Sequence, residues 1–237
     1  MIKMKDLIII KNVLLVSTKE NKKLIDIPNL QFDKNSISVI MGHNGSGKTL
    51  LLNLLQGLIT PNSGSIRFNP QIKNCKNFIS IMMQKPTFLR RTTQQNIQFI
   101  LDLNKNKTRM SILEVLERFD LVPQKNILAN KLSGGEKQRL SLALATSINS
   151  KILLLDEPTA NADPLTTLRV EKIIKEEASA GKKIILVTHS IAQAKRLGQD
   201  LIFINNGKVL EQNKATKFFT QSKTKEIVQF LKGEIIL

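Results

Sequence analysis

Short apolar runs separated by polar turns make up most of this chain, and their spacing predicts a mixed fold of strands and helices. Runs of a few residues that are rich in Ile, Val, Leu and Phe are typical of strands. We interpret the following segments as strands: Leu7–Ile10, Val13–Val16, Leu24–Ile27, Ile37–Met41, Ser65–Phe68, Phe78–Met83, Ile152–Leu155, Ile184–Val187, Leu201–Ile204 and Lys208–Leu210.

Helical periodicity appears between these runs, and above all in the middle of the chain. Helices are predicted at Leu50–Leu55, Gln95–Leu103, Ser111–Phe119, Gly135–Ser147, Pro164–Ala180 and Lys225–Lys232. We therefore expect one α/β domain, in which residues 1–85 and 148–237 form the core and residues 86–147 form an inserted helical subdomain.

One turn in this pattern has the spacing of a phosphate-binding loop. The apolar run Ile37–Met41 is followed by Gly42, His43, Asn44, Gly45, Ser46, Gly47, Lys48 and Thr49. Glycines let backbone N–H groups point at phosphates, and the next helix directs the positive end of its dipole to the same place. Lys48 is expected to reach the β- and γ-phosphates, and the Thr49 hydroxyl to ligate Mg²⁺. An ordinary glycine-rich turn would not explain Lys-Thr, so we predict a nucleoside triphosphate site.

Two later strands end in residues that can take part in phosphate chemistry. Asp156 and Glu157 follow the apolar run Ile152–Leu155, and parallel strands present ligand groups at their carboxyl ends. Asp156 is expected to hold Mg²⁺ or its water, and Glu157 to act as a general base. His189 ends the strand from Ile184 and is interpreted as a phosphate contact. Exposed carboxylates and a structural histidine are the alternatives.

A second anion site is predicted at the start of a helix. Ser133 followed by Glu136 is a capping-box spacing, and Gly134 and Gly135 lie between them. Adjacent glycines weaken a first helical turn but leave its backbone N–H groups uncovered. An ordinary helix start is the alternative interpretation.

The composition indicates which classes of protein this chain can belong to. Hydrophobic residues make up 41% of the 237 residues, and no apolar run has the roughly 18–20 residues that span a bilayer. The N-terminus lacks the apolar stretch of a signal peptide, and Cys75 is the single cysteine, so no internal disulfide can form. A cytoplasmic address is expected.

The formal net charge of +17 is typical of a protein that binds nucleic acid, of one that lies at an anionic membrane surface, or of a lysine-rich proteome. The lysines are scattered along the chain, aromatic residues are 4%, and Trp and Tyr are missing, so platforms for stacking nucleic-acid bases are scarce. A diffuse basic surface near a membrane is therefore favoured over nucleic-acid binding.

Taken in order, these elements resemble those of the ATP-binding cassette family, the ATPases that drive membrane transporters. The resemblance extends from about Leu7 to Gly207. It rests on the phosphate loop, Gln84, Leu132–Glu136, Leu155–Pro158 and His189.

The resemblance implies a P-loop NTPase core of the RecA-like class, with an N-terminal antiparallel β subdomain and an inserted α-helical subdomain. It implies ATP and Mg²⁺ as cofactors, with Gln84 contacting Mg²⁺ and relaying the nucleotide state to a membrane partner. It also implies a head-to-tail dimer in which the Ser133 helix of one copy closes over the γ-phosphate held by the other. Asp163 matches the aspartate of the family's dimer loop.

The chain departs from the family pattern in two places. Family members usually stack an aromatic residue on adenine near Val16 and Ser17, and none is present there. Ala160 and Ala162 replace the commoner serine and leucine of the dimer loop, which puts its hydrogen bonding in doubt.

The single cassette implies an importer subunit on the inner face of the cell membrane, with a transmembrane permease and a solute-binding protein as partners. The stretches Gln84–Arg91, Gln193–Leu197 and Phe230–Glu234 resemble cassettes of tungstate or related oxyanion importers. Importers of phosphate, molybdate or amino acids, an exporter or cell-envelope machine, and a nucleic-acid-associated cassette remain as alternatives.

Overall fold

The computed structural model describes residues 6–17, 20, 22–70, 78–103, 110–160 and 162–234. The chain divides into two compact units, the first made of residues 1–74 and 183–237 and the second of residues 75–182. The boundaries of these two units differ from those of the core and the helical subdomain that we expect from the sequence. That division stays a prediction.

The first unit contains most of the strands. Its strands are β1 (Asp6–Val16), β2 (Lys23–Asp33), β3 (Ile37–Met41), β4 (Ser63–Phe68), β7 (Lys183–Val187), β8 (Asp200–Asn205) and β9 (Lys208–Lys214). Its helices are α1 (Lys48–Gln56), α6 (Ile191–Leu197), α7 (Ala215–Gln221) and α8 (Lys225–Lys232).

The second unit is mainly helical, as the sequence predicts for this part of the chain. It contains the parallel strand pair β5 (Ile79–Met82) and β6 (Ile152–Asp156). Its helices are α2 (Thr93–Leu103), α3 (Ile112–Arg118), α4 (Gly134–Ser147) and α5 (Pro164–Ser179), with a 3₁₀ turn at Ala129–Lys131.

A parallel set of strands positions the phosphate loop within the first unit. β3 lies between β7 and β8 and runs parallel to both, and β9 pairs antiparallel with β8. Every residue of β3 and β7 is buried, which fits their continuous apolar sequences. Ile40 lies opposite Val187, so β3 and β7 end at the same edge.

An antiparallel sheet of order β2-β1-β4 completes the first unit and corrects one prediction. We expected two strands, Leu7–Ile10 and Val13–Val16, but β1 is continuous and both halves pair with β2. Asn12 has φ 50°, and the register of β1 against β4 shifts between Lys11 and Leu14. Lys11 and Asn12, which lie between the two predicted strands in sequence, therefore form a β-bulge within one strand.

Two helices of the first unit were not predicted from the sequence. α6 and α7 have seven residues each, and α7 reads as a polar segment. Phe218 of α7 is fully buried, so tertiary packing stabilises this helix more than its own propensity does. Across the described residues, no helix is long and apolar enough to cross a membrane.

Candidate nucleotide-binding site

The phosphate loop connects the buried end of β3 to the start of α1. Gly42, Gly45 and Gly47 have φ values of 148°, 78° and 106°, a region that favours glycine. A Cβ on Gly42 would lie 2.1 Å from the carbonyl oxygen of Ile204, so this turn also requires the space that glycine leaves. The loop therefore has a backbone conformation that its glycines permit.

The start of α1 directs an uncompensated positive dipole into this loop. The N-cap residue is Gly47, which supplies no side-chain cap, and the first turn holds no acidic residue. Ser111, Ser133 and Asp163 cap the starts of α3, α4 and α5, whereas α7 and α8 begin without a side-chain cap. An N-terminus without a carboxylate or hydroxyl cap is suited to binding a phosphate group.

Lys48 lies at the inside of the loop. Its side chain is 7% exposed, and its Nζ donates hydrogen bonds to the carbonyl oxygens of Gly42, at 2.8 Å, and His43, at 2.6 Å. Thr49 is exposed in the same first turn of α1. An ammonium held this way can exchange carbonyl acceptors for phosphate oxygens with a small movement of its side chain.

His189 belongs to the same unit and the same edge of strands as the loop. It is exposed and follows β7 by way of Thr188, whose N–H donates to the carbonyl of Ile40 at 3.2 Å. The Thr188 hydroxyl accepts from the N–H of Ser190, which caps α6. These contacts fix the backbone on both sides of His189.

The second unit carries the glutamine and the two carboxylates. Met82 lies opposite Leu155 in the parallel pair of β5 and β6, so Gln84, Asp156 and Glu157 all lie at one edge of that pair. Gln84 is exposed, whereas Asp156 and Glu157 are 3% and 7% exposed. The structure thus brings these three predicted residues to a common edge within this unit.

Glu157 adopts a backbone conformation that the sequence gave no reason to expect. Its φ is 52°, in the left-handed region, and its carbonyl accepts from the N–H of Ala160 at 3.1 Å. A non-glycine residue in this conformation is uncommon and is stabilised only where its surroundings require it. The turn redirects the chain immediately after β6 and sets where the carboxylate leaves the strand.

The signature segment forms the predicted capping box at the start of α4. The Ser133 hydroxyl accepts from the N–H of Glu136, and a Glu136 carboxylate oxygen accepts from the N–H of Ser133 at 2.7 Å. These hydrogen bonds, the backbone one first, lower the pKa of Glu136. Nothing lies within 4 Å of a Cβ placed on Gly134, so the first turn is open on that side.

The dimer-loop segment leads into α5. Asp163 caps this helix by accepting from the N–H groups of Leu165 and Thr166, and a hydrogen bond from the Thr166 hydroxyl is the main cause that lowers its pKa. The Gln138 side chain of α4 donates to the carbonyl of Ala160, a link that sequence spacing could not have indicated. Asn161 lies outside the described residues.

Val16 and Ser17, where family members carry an aromatic residue, form an ordinary strand end. The N–H of Val16 donates to the Asn62 side chain at 2.8 Å, and the N–H of Ser17 donates to the carbonyl of Lys22. The aliphatic Val16 therefore stands where family members usually carry the stacking aromatic residue.

Comparisons with known proteins agree with these motifs. Residues 25–160 match the family model described as ABC transporter. The tungstate uptake system ATP-binding protein of Peptoclostridium acidaminophilum is 35% identical over 193 residues, covering 79% of this chain and 90% of that protein. The L-cystine import ATP-binding protein of Bacillus subtilis is 30% identical over 229 residues, covering 90% and 92%.

A solved structure is similar as well. It is the dimeric structure of a post-hydrolysis state of an ATP-binding cassette bound to ADP and phosphate. The TM-score is 0.77 at 27% identity, and the match covers 88% of this chain and 98% of the other.

Proposed function

This chain belongs to the ABC transporter family of ATPases, as its motifs predict, and we propose that it powers the import of tungstate or a related oxyanion through a separate permease. The observation that carries the ATPase function is the phosphate loop, in which glycine φ values, an uncapped helix start and a buried lysine converge. The relatives named for tungstate uptake and L-cystine import support an importer.

Nucleotide binding begins with the first unit. Lys48 exchanges the carbonyl oxygens of Gly42 and His43 for oxygens of the β- and γ-phosphates, while the α1 dipole stabilises the same charge. His189 donates a hydrogen bond to the transferred phosphate. The aliphatic Val16 gives the adenine ring a weaker contact than a stacked aromatic would.

The family resemblance implies that Thr49, Gln84 and Asp156 would supply the donors for Mg²⁺. A hydroxyl, an amide oxygen and a carboxylate are all oxygen donors, the kind of donor that this hard cation takes. When bound, the cation neutralises charge on the phosphate oxygens.

Glu157 acts as the general base. Its carboxylate takes a proton from a water whose oxygen forms the new bond to the γ-phosphorus, while the bond to the bridging oxygen breaks and ADP leaves. The left-handed turn at Glu157 supports this role, because strained backbone conformations concentrate at functional sites.

A second copy of the chain completes the site. Gly134 and Gly135 present the open first turn of α4, and this second anion-binding helix start serves the γ-phosphate held by the partner copy. The similarity to a dimeric cassette supports this arrangement.

The permease docks on the second unit, close in sequence to Gln84. An open cleft of about 220 Å³ is lined there by Arg91, Gln95, Gln98, Phe99 and Asp102. It offers both an exposed aromatic ring and charged groups, which suits a helix presented by a membrane protein. A solute-binding protein on the other side of the membrane delivers the oxyanion.

Replacing the general base tests the chemistry. Glu157→Gln is expected to bind ATP as the wild type does and to lose at least about a hundredfold in turnover, because the amide cannot accept the proton of the attacking water. Equilibrium binding and phosphate release measured on the same preparation separate the two. Turnover near the wild-type rate would remove Glu157 from this role.

Elemental analysis of cells tests the solute. Cells that carry Lys48→Ala and cells with the wild-type chain are grown at trace tungstate and molybdate, and cell tungsten and molybdenum are measured. A selective fall in tungsten supports the proposal. Unchanged cell tungsten and molybdenum would leave the ATPase function in place but exclude tungstate and molybdate, and phosphate and amino acids are tested next.

The high positive charge makes a nucleic-acid partner the second candidate. A salt-sensitive shift of DNA or ribosomes by the purified chain would favour it. Efflux instead of accumulation in the cell experiment would indicate an exporter or cell-envelope machine.

A further inference from the structure

A cluster of three aromatic rings connects the phosphate loop to the C-terminal helix α8, and all three lie in the first unit. The imidazole of His43 meets the ring of Phe230 with centroids 5.2 Å apart and the ring of Phe203 at 6.4 Å. Phe203 and Phe230 lie 5.1 Å apart. The three interplanar angles, 86°, 81° and 72°, are edge-to-face geometries, which are favourable for aromatic pairs.

Two members of this cluster sit on well-anchored elements. Phe203 is fully buried in β8 and lies opposite Met41 of β3. Met41 is the last residue before the phosphate loop begins at Gly42. Phe230 is half-buried on α8, three residues after the fully buried Ile227, so both lie on one face of that helix. The His43 side chain is therefore held between a rigid strand and a helix.

Packing, rather than hydrogen bonding, holds the His43 ring. Its Nε2 is buried and has no hydrogen-bond partner among the described residues. Without the ring of Phe230, the imidazole would lose its nearer aromatic neighbour and could rotate toward water, where that nitrogen finds a partner.

The backbone of His43 is tied to the phosphate-binding lysine. Its carbonyl accepts from Lys48 Nζ at 2.6 Å and from the N–H of Ser46 at 3.2 Å. Because side chain and carbonyl belong to one residue, a ring that is held in place also limits how far the backbone of His43, whose carbonyl receives Lys48, can move. The contact with α8 thus reaches the loop interior through His43.

We propose that Phe230 is a positioning residue for nucleotide binding, which acts through His43 to keep the phosphate loop in the conformation that accepts ATP. This inference rests on the proposed ATPase function and extends it to the C-terminal helix. Phe230 touches no nucleotide in this account, and its effect falls on affinity rather than on the chemical step.

Calorimetric titration with ADP and Mg²⁺ tests the inference. Phe230→Ala is expected to weaken ADP binding roughly three- to tenfold, the size of one to two lost aromatic pairs. KM for ATP rises by a similar factor, and kcat stays within about twofold, because the groups at the reacting phosphate are unchanged. Phe230→Tyr keeps the ring and is expected to bind as the wild type does.

Phe219→Ala is the matched control. Phe219 is also a half-buried aromatic residue of the C-terminal segment, but its ring contacts Phe218 and Lys195 and not the loop. Both alanine variants are expected to lower the melting temperature, and only Phe230→Ala to change ADP affinity. Equal ADP affinity in the two variants would overturn the inference and leave Phe230 a merely structural residue.

A double-mutant cycle tests whether Phe230 affects nucleotide binding through His43. In a His43→Ala background, Phe230→Ala is expected to have little further effect on ADP affinity, since the ring it contacts is already gone. Fully additive losses would overturn the route through His43. If Phe230→Ala does not fold, Phe230→Leu keeps α8 packed and takes its place in both comparisons. A wild-type chain that binds no ADP would refute the proposed function instead.

Discussion

At the scale of single residues, the most unusual environment outside the nucleotide site belongs to Lys183. This side chain starts β7, is 1% exposed, and donates hydrogen bonds to the hydroxyls of Ser36 and Ser38. Burial lowers the pKa of Lys183 from 10.5 to about 8, although the charges of Asp200 and Asp33 partly oppose the shift.

The lowered pKa of Lys183 predicts stability that rises with pH. Between about pH 8 and 10.5 the folded chain has released this proton while the unfolded chain still holds it, so unfolding takes up a proton and becomes less favourable as pH increases. Relative to Lys183→Met, the wild type is expected to gain about 2 kcal/mol of unfolding free energy from pH 7.5 to pH 10. Urea denaturation of both proteins at each pH measures this, and parallel curves would contradict it.

The sequence indicated which residues form the candidate site, but it did not indicate every backbone conformation and ring contact found there. Gly42, Gly45 and Gly47 have the positive φ values that a phosphate loop requires, because few other residues adopt them at low cost. The left-handed Glu157 and the ring contact between His43 and Phe230 were not predictable. Each depends on residues that are remote in sequence or on a turn that no local pattern marks.

At the scale of elements, two helices begin with the same capping box, and their comparison separates stability from function. Ser111 caps α3 with Glu114 as Ser133 caps α4 with Glu136. In both boxes the backbone N–H of the serine is the first cause that lowers the pKa of the glutamate.

Replacing either capping serine is expected to destabilise the fold by about 1 kcal/mol, because one helix-end donor loses its acceptor. Only Ser133→Ala is expected to lower ATP turnover as well, by at least about tenfold, since its helix start serves the γ-phosphate of the partner copy. Denaturation and phosphate-release assays on Ser133→Ala and Ser111→Ala provide the test. Equal turnover in both variants would exclude α4 from the chemistry.

The sequence predicted helices most accurately where the helical pattern of apolar residues extends over at least two turns. The helix α8 was predicted with its observed bounds, and α2, α4 and α5 were predicted within two residues of theirs, because each spans at least two helical turns. The seven-residue α7 was not predicted, and the continuous strand β1 was predicted as two strands. Their structure is decided by contacts with distant strands, as in the burial of Phe218.

At the scale of the whole molecule, ATP is expected to change the number of copies in solution. Glu157→Gln holds ATP unhydrolysed, so the chain of 26.7 kDa should elute with twice that mass when ATP is present and with the single mass when ADP replaces it. Light scattering after size exclusion measures both states. The double variant with Lys48→Ala is the control and should remain monomeric, and a Glu157→Gln chain that stays monomeric in saturating ATP would contradict the shared-site mechanism.

The family and fold class were predictable from the sequence, because motif residues such as Lys48 and Ser133 report directly on phosphate binding. The transported solute was not, since an ATPase subunit has no contact with it. Relatives named for tungstate and for L-cystine match this chain at 35% and 30% identity, which reflects the shared nucleotide chemistry.

The discontinuous first unit also has a consequence for biosynthesis. β3 precedes residue 50, yet both of its neighbours, β7 and β8, are translated after the whole second unit. While the ribosome works through that interval, β1, β2 and β4 can already pair with one another, but the apolar β3 has no partner strand. A nascent chain with an unpaired apolar strand is prone to aggregation, and a holdase chaperone that shields β3 until Val187 has emerged would improve its yield.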